Sequence, residues 1–150
     1  MHITGRKVKN TKIHNSLFII HNLRRMKTDN IVKDKSLSFG IRIVRMVRHL
    51  LKTCTYAEHP IFTQILKSGT SIGANIREAE HAESLTDFKH KLKIALKEAN
   101  ESLYWLEILY CSEYIDESQY NSMKNDCVEI KKILTSIIKT INNKQSNKPS

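Results

Sequence analysis

The chain has 150 residues, of which 40% are hydrophobic and 27% are charged, with only four glycines and two prolines. This length and composition fit a single domain, exclude collagen-like and low-complexity chains, and argue against a turn-rich β-sandwich. The 25 Lys and Arg outnumber the 15 Asp and Glu, so the net charge of +10 favours phosphates or anionic surfaces as partners.

Much of this charge lies in residues 1–25, which contain six basic residues and no acid. This segment shows little helical periodicity, whereas the sequence after Met26 leads directly into a regular pattern. A functional basic arm, a mitochondrial-type presequence and an extension upstream of a true start at Met26 all have this composition. We expect residues 1–25 to be a disordered basic extension.

The cysteines and the apolar segments indicate the compartment. Cys54, Cys111 and Cys127 are widely spaced and form no CxxC motif, which argues against a disulfide framework and fits a reducing cytoplasm. No apolar run approaches the ~20 residues that a membrane-spanning helix needs. We therefore expect a cytoplasmic protein that does not interact with membranes.

The first two predicted helices lie on either side of Pro60. From Ser36 onward, apolar residues recur three and four positions apart, and Pro60 suits the first turn of the second helix. We expect the core stripe of the first helix to contain Leu37, Gly40, Val44, Val47, Leu51 and Cys54, flanked by Ile43 and Leu50. In the second helix the stripe contains Ile61, Ile65, Gly69, Ile72, Ile76 and Ala79, and its glycines indicate a close helix contact.

The third and fourth helices have clear start signals. Ser84 and Asp87 have the spacing of a capping box, and Asp116 can cap the fourth helix. The third core stripe contains Phe88, Leu92, Ala95, Ala99, Leu103, Leu106 and Tyr110, and the fourth contains Tyr120, Met123, Cys127, Ile130, Leu134, Ile137 and Ile141. We predict an all-α fold, an antiparallel up-down-up-down four-helix bundle over residues 26–142, followed by a disordered polar tail at 143–150.

The third helix has more apolar residues than one core-facing stripe requires. Tyr and Trp are enriched at the centres of protein interfaces, and contiguous apolar surface often marks an interface. We therefore predict a homo-oligomer whose contact includes Tyr104, Trp105, Ile108 and Leu109. The alternative is a wide core-facing stripe in a monomer.

The sequence gives little support to catalysis or metal binding. Glu78-x-x-His81 has the spacing of one half of a carboxylate-bundle iron site, but the second Glu-x-x-His that such a site needs is missing. No nucleophile motif or phosphate-binding glycine loop is present. We predict no enzymatic activity, no metal and no cofactor, and a carboxylate metalloenzyme is the remaining enzymatic alternative.

Two rows of basic residues favour an anionic partner. The first lies on the first helix, which has no acid between Asp34 and Glu58, and the second lies on the third helix. We predict that these rows contact phosphates of RNA or DNA without reading bases: Arg42, Arg45, Arg48 and Lys52, and Lys89, Lys93 and Lys97. Alternatively, they are solvated faces that acids on neighbouring helices neutralise.

Several segments resemble one protein family. The segments are Ser71-Ile-Gly-Ala-Asn-Ile-Arg-Glu-Ala79, Ile94-Ala-Leu-Lys-Glu-Ala99 and Glu101-Ser-Leu-Tyr-Trp-Leu106. They resemble the bacterial four-helix-bundle family, also called the 23S ribosomal RNA intervening-sequence protein family, over roughly residues 26–142. The motif residues that we single out are Ser68, Ser71, Asn75, Glu78, Glu98 and Glu101. The resemblance attaches no catalytic role to them. Where partly buried, they need hydrogen-bond partners; otherwise they lie half-solvated at the bundle boundary.

The resemblance implies a cytoplasmic, non-enzymatic helical bundle that forms homopentameric rings. The accessory variability proteins of retroelements are similar in fold, and they bind nucleic acid and a reverse transcriptase. Our hypothesis from the sequence is thus a homo-oligomer, pentameric by resemblance, that binds RNA or DNA through basic helix faces. The alternative is a protein-interaction scaffold or accessory subunit, for example of a reverse transcriptase, whose positive charge is incidental.

Overall fold

The computed structural model describes residues 27–146, which form four long helices. They are α1 (Lys27–Thr53), α2 (His59–Ala79), α3 (Leu85–Cys111) and α4 (Glu117–Ser146), with a short 3-10 helix at Tyr56–Glu58. No β-strand occurs between residues 27 and 146, which confirms the all-α class. None of the helices in this range is long and apolar enough to cross a membrane.

Two helices extend beyond their predicted limits. α1 begins at Lys27, well before Ser36, because the buried residues Val32 and Ser36 continue its core stripe towards the N-terminus. α4 continues to Ser146, so the first part of the segment expected to be a polar tail is helical. The extension expected at 1–25 and residues 147–150 lie outside the described part of the chain.

The predicted helix starts are confirmed by their capping hydrogen bonds. The Asp87 amide donates to Ser84 Oγ over 3.1 Å, and the Ser84 side chain thereby satisfies one free amide of the first turn of α3. At α4 the Gln119 amide donates to Asp116 Oδ1 over 2.7 Å, while the Asp116 amide donates back to Gln119 Oε1 over 3.0 Å. The single capping bond at α3 and the reciprocal pair at α4 stabilise the first turns of the two helices.

Each helix packs against two others around one core. α3 contacts α2 and α4, and α1 contacts the same two helices on the other side. Between α2 and α3 the Ser102 hydroxyl donates to the buried Ser68 Oγ over 3.1 Å. Between α3 and α4 the Cys127 thiol donates to the Ala99 carbonyl over 3.3 Å. The core is continuous through all four helices and contains Phe39, Ile43, Phe62, Ile65, Ile72, Ile76, Leu92, Leu106, Leu109 and Ile130.

The contact partners of neighbouring helices run in opposite directions along the chain. From Lys35 to Arg42 on α1, the partners on α4 step back from Glu129 to Ser122. On the α3–α4 pair, Ala99 contacts Cys127 and Tyr110 stacks on Tyr120, with ring centroids 4.6 Å apart. This order determines which surface residues of two helices lie at the same end of the bundle.

The core stripes predicted for α2, α3 and α4 are confirmed, whereas the stripe predicted for α1 is confirmed only in part. On the last three helices nearly every predicted core residue is buried, and the exceptions are half-buried. On α1 the buried residues are Val32, Ser36, Phe39, Ile43, Val47 and Leu50. Of the predicted residues Val47 and the flanking Ile43 and Leu50 are among them, whereas Leu37 and Leu51 are 47% and 42% exposed. The buried side is thus rotated towards Phe39 and away from Leu37, by less than the ~100° that separates successive residues.

Candidate nucleic-acid interface

The basic row predicted on α1 is divided by the fold. Arg42 lies on the side of α1 that faces α4, where its guanidinium forms an ion pair with Asp126 and donates to Ser122 Oγ over 2.8 Å. An acid on a neighbouring helix therefore neutralises this arginine. Arg42 and Arg45 nevertheless line one groove of about 430 Å³ between α1 and the start of α4. The face of Arg42, Arg45, Arg48 and Lys52 stays a prediction, in which the ion pair leaves Arg42 little free charge for a phosphate.

Arg45 and Arg48 are exposed but border an apolar groove rather than an open polar face. The groove lies between α1 and α2, has a volume of about 490 Å³, and also takes in Arg77 from α2. Its other lining residues are almost all small or apolar: Ser36, Leu37, Gly40, Ile41, Val44, Thr70, Gly73 and Ala74. Lys52 is exposed and lies closer to the C-terminal end of α1. We call this surface the arginine groove.

The basic row on α3 is only partly open to solvent. Lys93 and Lys97 are exposed and Lys89 is half-buried. Lys91 lies in the same stretch but turns towards α2, where its ammonium donates to Glu78 Oε2 over 2.6 Å. This hydrogen bond, with the attraction of the Glu78 charge, raises the pKa of Lys91. Lys93 and Lys97 are therefore the members of the row that present charge to solvent.

A further basic surface, which the sequence analysis missed, lies on the C-terminal half of α4. Lys131, Lys132 and Lys139 line a shallow groove of about 620 Å³ together with the hydroxyl groups of Thr135, Ser136 and Thr140. Among residues 27–146, none of the three lysines makes an ion pair with an acidic side chain. The signal in the sequence is the absence of any acid after Glu129. We call these three lysines the lysine face.

The packing of α3 on α4 brings the two lysine groups to the same end of the bundle. Ala99 contacts Cys127, and the two helices run in opposite directions from that contact. Residues before Ala99 on α3 therefore lie beside residues after Cys127 on α4. Lys93 and Lys97 thus lie beside the lysine face, whereas Arg45, Arg48 and Lys52 lie towards the other end of α1.

The residues predicted for an oligomer contact divide between surface and core. Tyr104 is 57% exposed, and Trp105 and Ile108 are half-buried. Leu109 is completely buried in the core, so its assignment to an interface is wrong. On the surface, the rings of Tyr104 and Trp105 lie 5.0 Å apart, and the Trp105 indole N–H donates to Glu101 Oε1 over 3.4 Å.

Comparison with known proteins identifies the family. The family description "23S rRNA-intervening sequence protein" matches residues 28–136. The chain belongs to this family. A solved structure from Bacteroides thetaiotaomicron, described as a protein with unknown function from the S23 ribosomal protein family, is 56% identical to it. The two structures have a TM-score of 0.70, and the match covers 75% of this chain and 98% of the other. No curated protein matches the chain.

The six family-motif residues serve the packing of α2 and α3 or lie at its border. Ser68 is buried and accepts a hydrogen bond from Ser102, while Asn75 donates to the Ser71 carbonyl of its own helix over 2.9 Å. Glu78 forms an ion pair with Lys91. Glu98 and Glu101 are half-buried on α3. In this 23S rRNA-intervening sequence protein, Ser68, Asn75 and Glu78 thus have separate partners and do not form one polar cluster.

The residues considered for metal binding are not brought together. Glu78 is engaged by Lys91 and His81 is exposed. Within residues 27–146, no three His, Cys, Asp or Glu side chains are close enough to hold a metal ion.

Proposed function

We propose that this 23S rRNA-intervening sequence protein is a non-enzymatic bacterial, cytoplasmic homo-oligomer that binds RNA or DNA through lysine side chains. Its subunit is an antiparallel up-down-up-down bundle, which the reversed order of the α1–α4 and α3–α4 contacts supports. Five subunits in a ring is the assembly that the sequence resemblance implies. The phosphate backbone is the part of the nucleic acid that is bound.

The main support for this proposal is the lysine face. Lys131, Lys132 and Lys139 present three charges on one side of a helix, and the hydroxyl groups of Thr135 and Ser136, which can donate to phosphate oxygens, lie between them in the sequence. Lys93 and Lys97 add charge at the same end of the bundle. A row of ammonium groups beside hydroxyl donors suits phosphates at several positions along a strand, with no requirement for a base sequence.

A comparison of two double variants tests this assignment. K132Q/K139Q removes two exposed charges from the lysine face, and K67Q/K124Q removes two exposed charges elsewhere. Fluorescence anisotropy with labelled single-stranded and duplex RNA, from 50 to 200 mM salt, measures the affinity of both double variants for RNA. We expect K132Q/K139Q to weaken binding to RNA. We also expect the negative slope of log K against log salt to become shallower by about 1.4–1.8.

The control variant tests whether RNA binding depends on the lysine face itself or only on the net positive charge of the chain. K67Q/K124Q has the same net charge as K132Q/K139Q, and we expect its affinity and salt slope to stay close to those of the wild type. Equal losses in both variants would show that the lysine face is not special. Absence of binding by the wild type at 50 mM salt would overturn nucleic-acid binding itself.

The alternative function is an accessory subunit or scaffold for another protein, such as a reverse transcriptase. The observation that favours it is the apolar lining of the arginine groove, which a partner helix could cover. A partner bound there would depend on Leu37 and Ile41 rather than on the lysine face. Titration of a purified candidate against L37S/I41S and K132Q/K139Q therefore distinguishes the two functions.

A further inference from the structure

The outer side of α1 carries a second apolar stripe that its own chain leaves uncovered. Leu37, Ile41, Val44, Arg48 and Leu51 follow one another at alternating steps of four and three residues. Leu37, Ile41 and Leu51 are 42–47% exposed. Steps of four and three are the spacing at which one helix packs along another. Exposed apolar side chains in such a row form a contiguous patch, which in a stable protein is usually an interface.

The arginine groove beside this stripe is shaped for a helix with acidic residues. Gly40, Gly73 and Ala74 leave it without bulk, and a Cβ atom placed on Gly40 would have no neighbour closer than the Gly69 carbonyl at 4.0 Å. Arg45, Arg48 and Arg77 border it, and no acid lines it. The complementary surface is therefore a helix face with apolar residues and carboxylates.

The outer face of α3 in this same chain has that composition. Ile94, Glu98, Glu101, Trp105 and Ile108 follow the same steps of four and three. All five are half-buried, and Tyr104 beside them is well exposed. Glu98 and Glu101 lie in the middle part of this row, and Val44 and Arg48 lie in the middle part of the row on α1. When the two rows pack along each other, the carboxylates can therefore face the arginines of the groove.

This face cannot fill the groove of its own chain. α3 packs on α2 and α4 through Ser102 and Ala99, so its outer face points away from the α1–α2 pair. We propose that the arginine groove of one subunit receives the Glu98–Glu101–Trp105 face of α3 from a second copy of the chain. The proposal rests on the homo-oligomer proposed above and identifies its contact surfaces.

The two surfaces are different, so the contact is heterologous: each subunit uses its groove on one neighbour and its α3 face on the other. Repetition of such a contact either closes a ring or continues into a filament. It also gives Arg45 and Arg48 a role between subunits in place of the predicted contact with phosphates.

Charge reversal on the two surfaces tests the contact. R48E places an acid in the groove opposite the carboxylates, and E101R places a base on α3 opposite the arginines. Size-exclusion chromatography with light scattering measures the mass, and circular dichroism confirms folding. We expect the wild type to elute as an oligomer and each single variant to fall to the 17.4 kDa of one chain. K124E, a reversal at an exposed lysine of α4, is expected to leave the mass unchanged.

Restoring opposite charges tests whether the loss of oligomeric mass is specific to this contact. R48E/E101R restores opposite charges on the two surfaces at every contact of the oligomer, and we expect it to regain oligomeric mass. An oligomer whose mass neither single variant changes would overturn this contact and leave the proposed function intact. Loss without rescue would overturn it as well. A monomeric wild type would overturn the homo-oligomer, while RNA binding is decided separately by K132Q/K139Q.

Discussion

Cys127 illustrates how one side chain contributes to both packing and reactivity. Its thiol is completely buried and donates to the Ala99 carbonyl, at the point where α4 packs on α3. Burial away from water disfavours the thiolate and raises the pKa of Cys127 to about 12. The thiolate is the reactive form, so this cysteine is expected to be inert in the folded protein.

Thiol labelling at pH 8 tests this difference between the cysteines. Cys111 is exposed at the end of α3, Cys54 is half-buried and Cys127 is buried. With a chromogenic disulfide reagent we expect Cys111 to react in the fastest phase and Cys127 to react only after the protein unfolds. The substitution C111S should remove the fastest phase and C127S should leave it in place. A fast phase that disappears in C127S would contradict the burial of this thiol.

At the level of helices, α1 and α2 approach each other closely at Gly69. A Cβ atom added to Gly69 would lie 2.8 Å from Cγ1 of Ile43 and 3.1 Å from its Cγ2. These atoms are near the stem of a completely buried side chain, so they have no free space into which to move. The close packing compensates for the lower helix propensity of glycine, which costs about 1 kcal/mol relative to alanine.

Alanine substitution at two glycines separates packing from helix propensity. We expect G69A to lower the free energy of unfolding by about 1–3 kcal/mol, because the added methyl group overpacks against Ile43. G40A should instead raise it by up to ~1 kcal/mol, because a Cβ there meets no atom closer than 4.0 Å. Urea unfolding at several protein concentrations separates folding from association. A stabilising G69A would show that the two helices are not in close contact there.

The success of sequence-based prediction differs between helices for a physical reason. α4 has one apolar row from Met123 to Ile141 with polar residues around it, and its buried side was predicted correctly. α1 has two apolar rows of equal spacing, one containing Phe39 and Ile43 and the other containing Leu37 and Ile41. Periodicity cannot choose between them, because the row that enters the core depends on contacts with α2 and α4.

The candidate site was partly predictable by the same reasoning. The absence of acids marked the basic row of α1, and the same criterion applied after Glu129 would have identified the lysine face. Neutralisation by an acid of a neighbouring helix was the stated alternative for this row, but the sequence could not identify Asp126 as the partner of Arg42, since it is 84 residues away and only the fold brings them together. The predicted contact residues Tyr104, Trp105 and Ile108 stay at the surface and keep their place in the proposed interface.

At the scale of the whole molecule, assembly should determine how strongly the lysine face binds. One subunit offers few phosphate contacts, and a ring or filament repeats the face so that several copies engage one strand. Linked sites of this kind bind with an avidity that exceeds the affinity of each site by ~100-fold or more. The net charge of the chain is therefore a poorer guide to RNA binding than the number of lysine faces that one strand can reach.

E101R separates assembly from charge, because it makes each chain more positive while it is expected to break the contact between subunits. At a protein concentration where the wild type is oligomeric, we expect E101R to bind a long single-stranded RNA at least ~10-fold more weakly than the wild type. R48E/E101R, which has the wild-type net charge and is expected to assemble, should recover most of the affinity.

Binding by monomeric E101R that equals or exceeds that of the wild type would show that each subunit acts alone and that charge dominates. Anisotropy with RNA long enough to span several subunits, beside RNA that covers only one, measures this difference, since only the longer strand can gain from assembly.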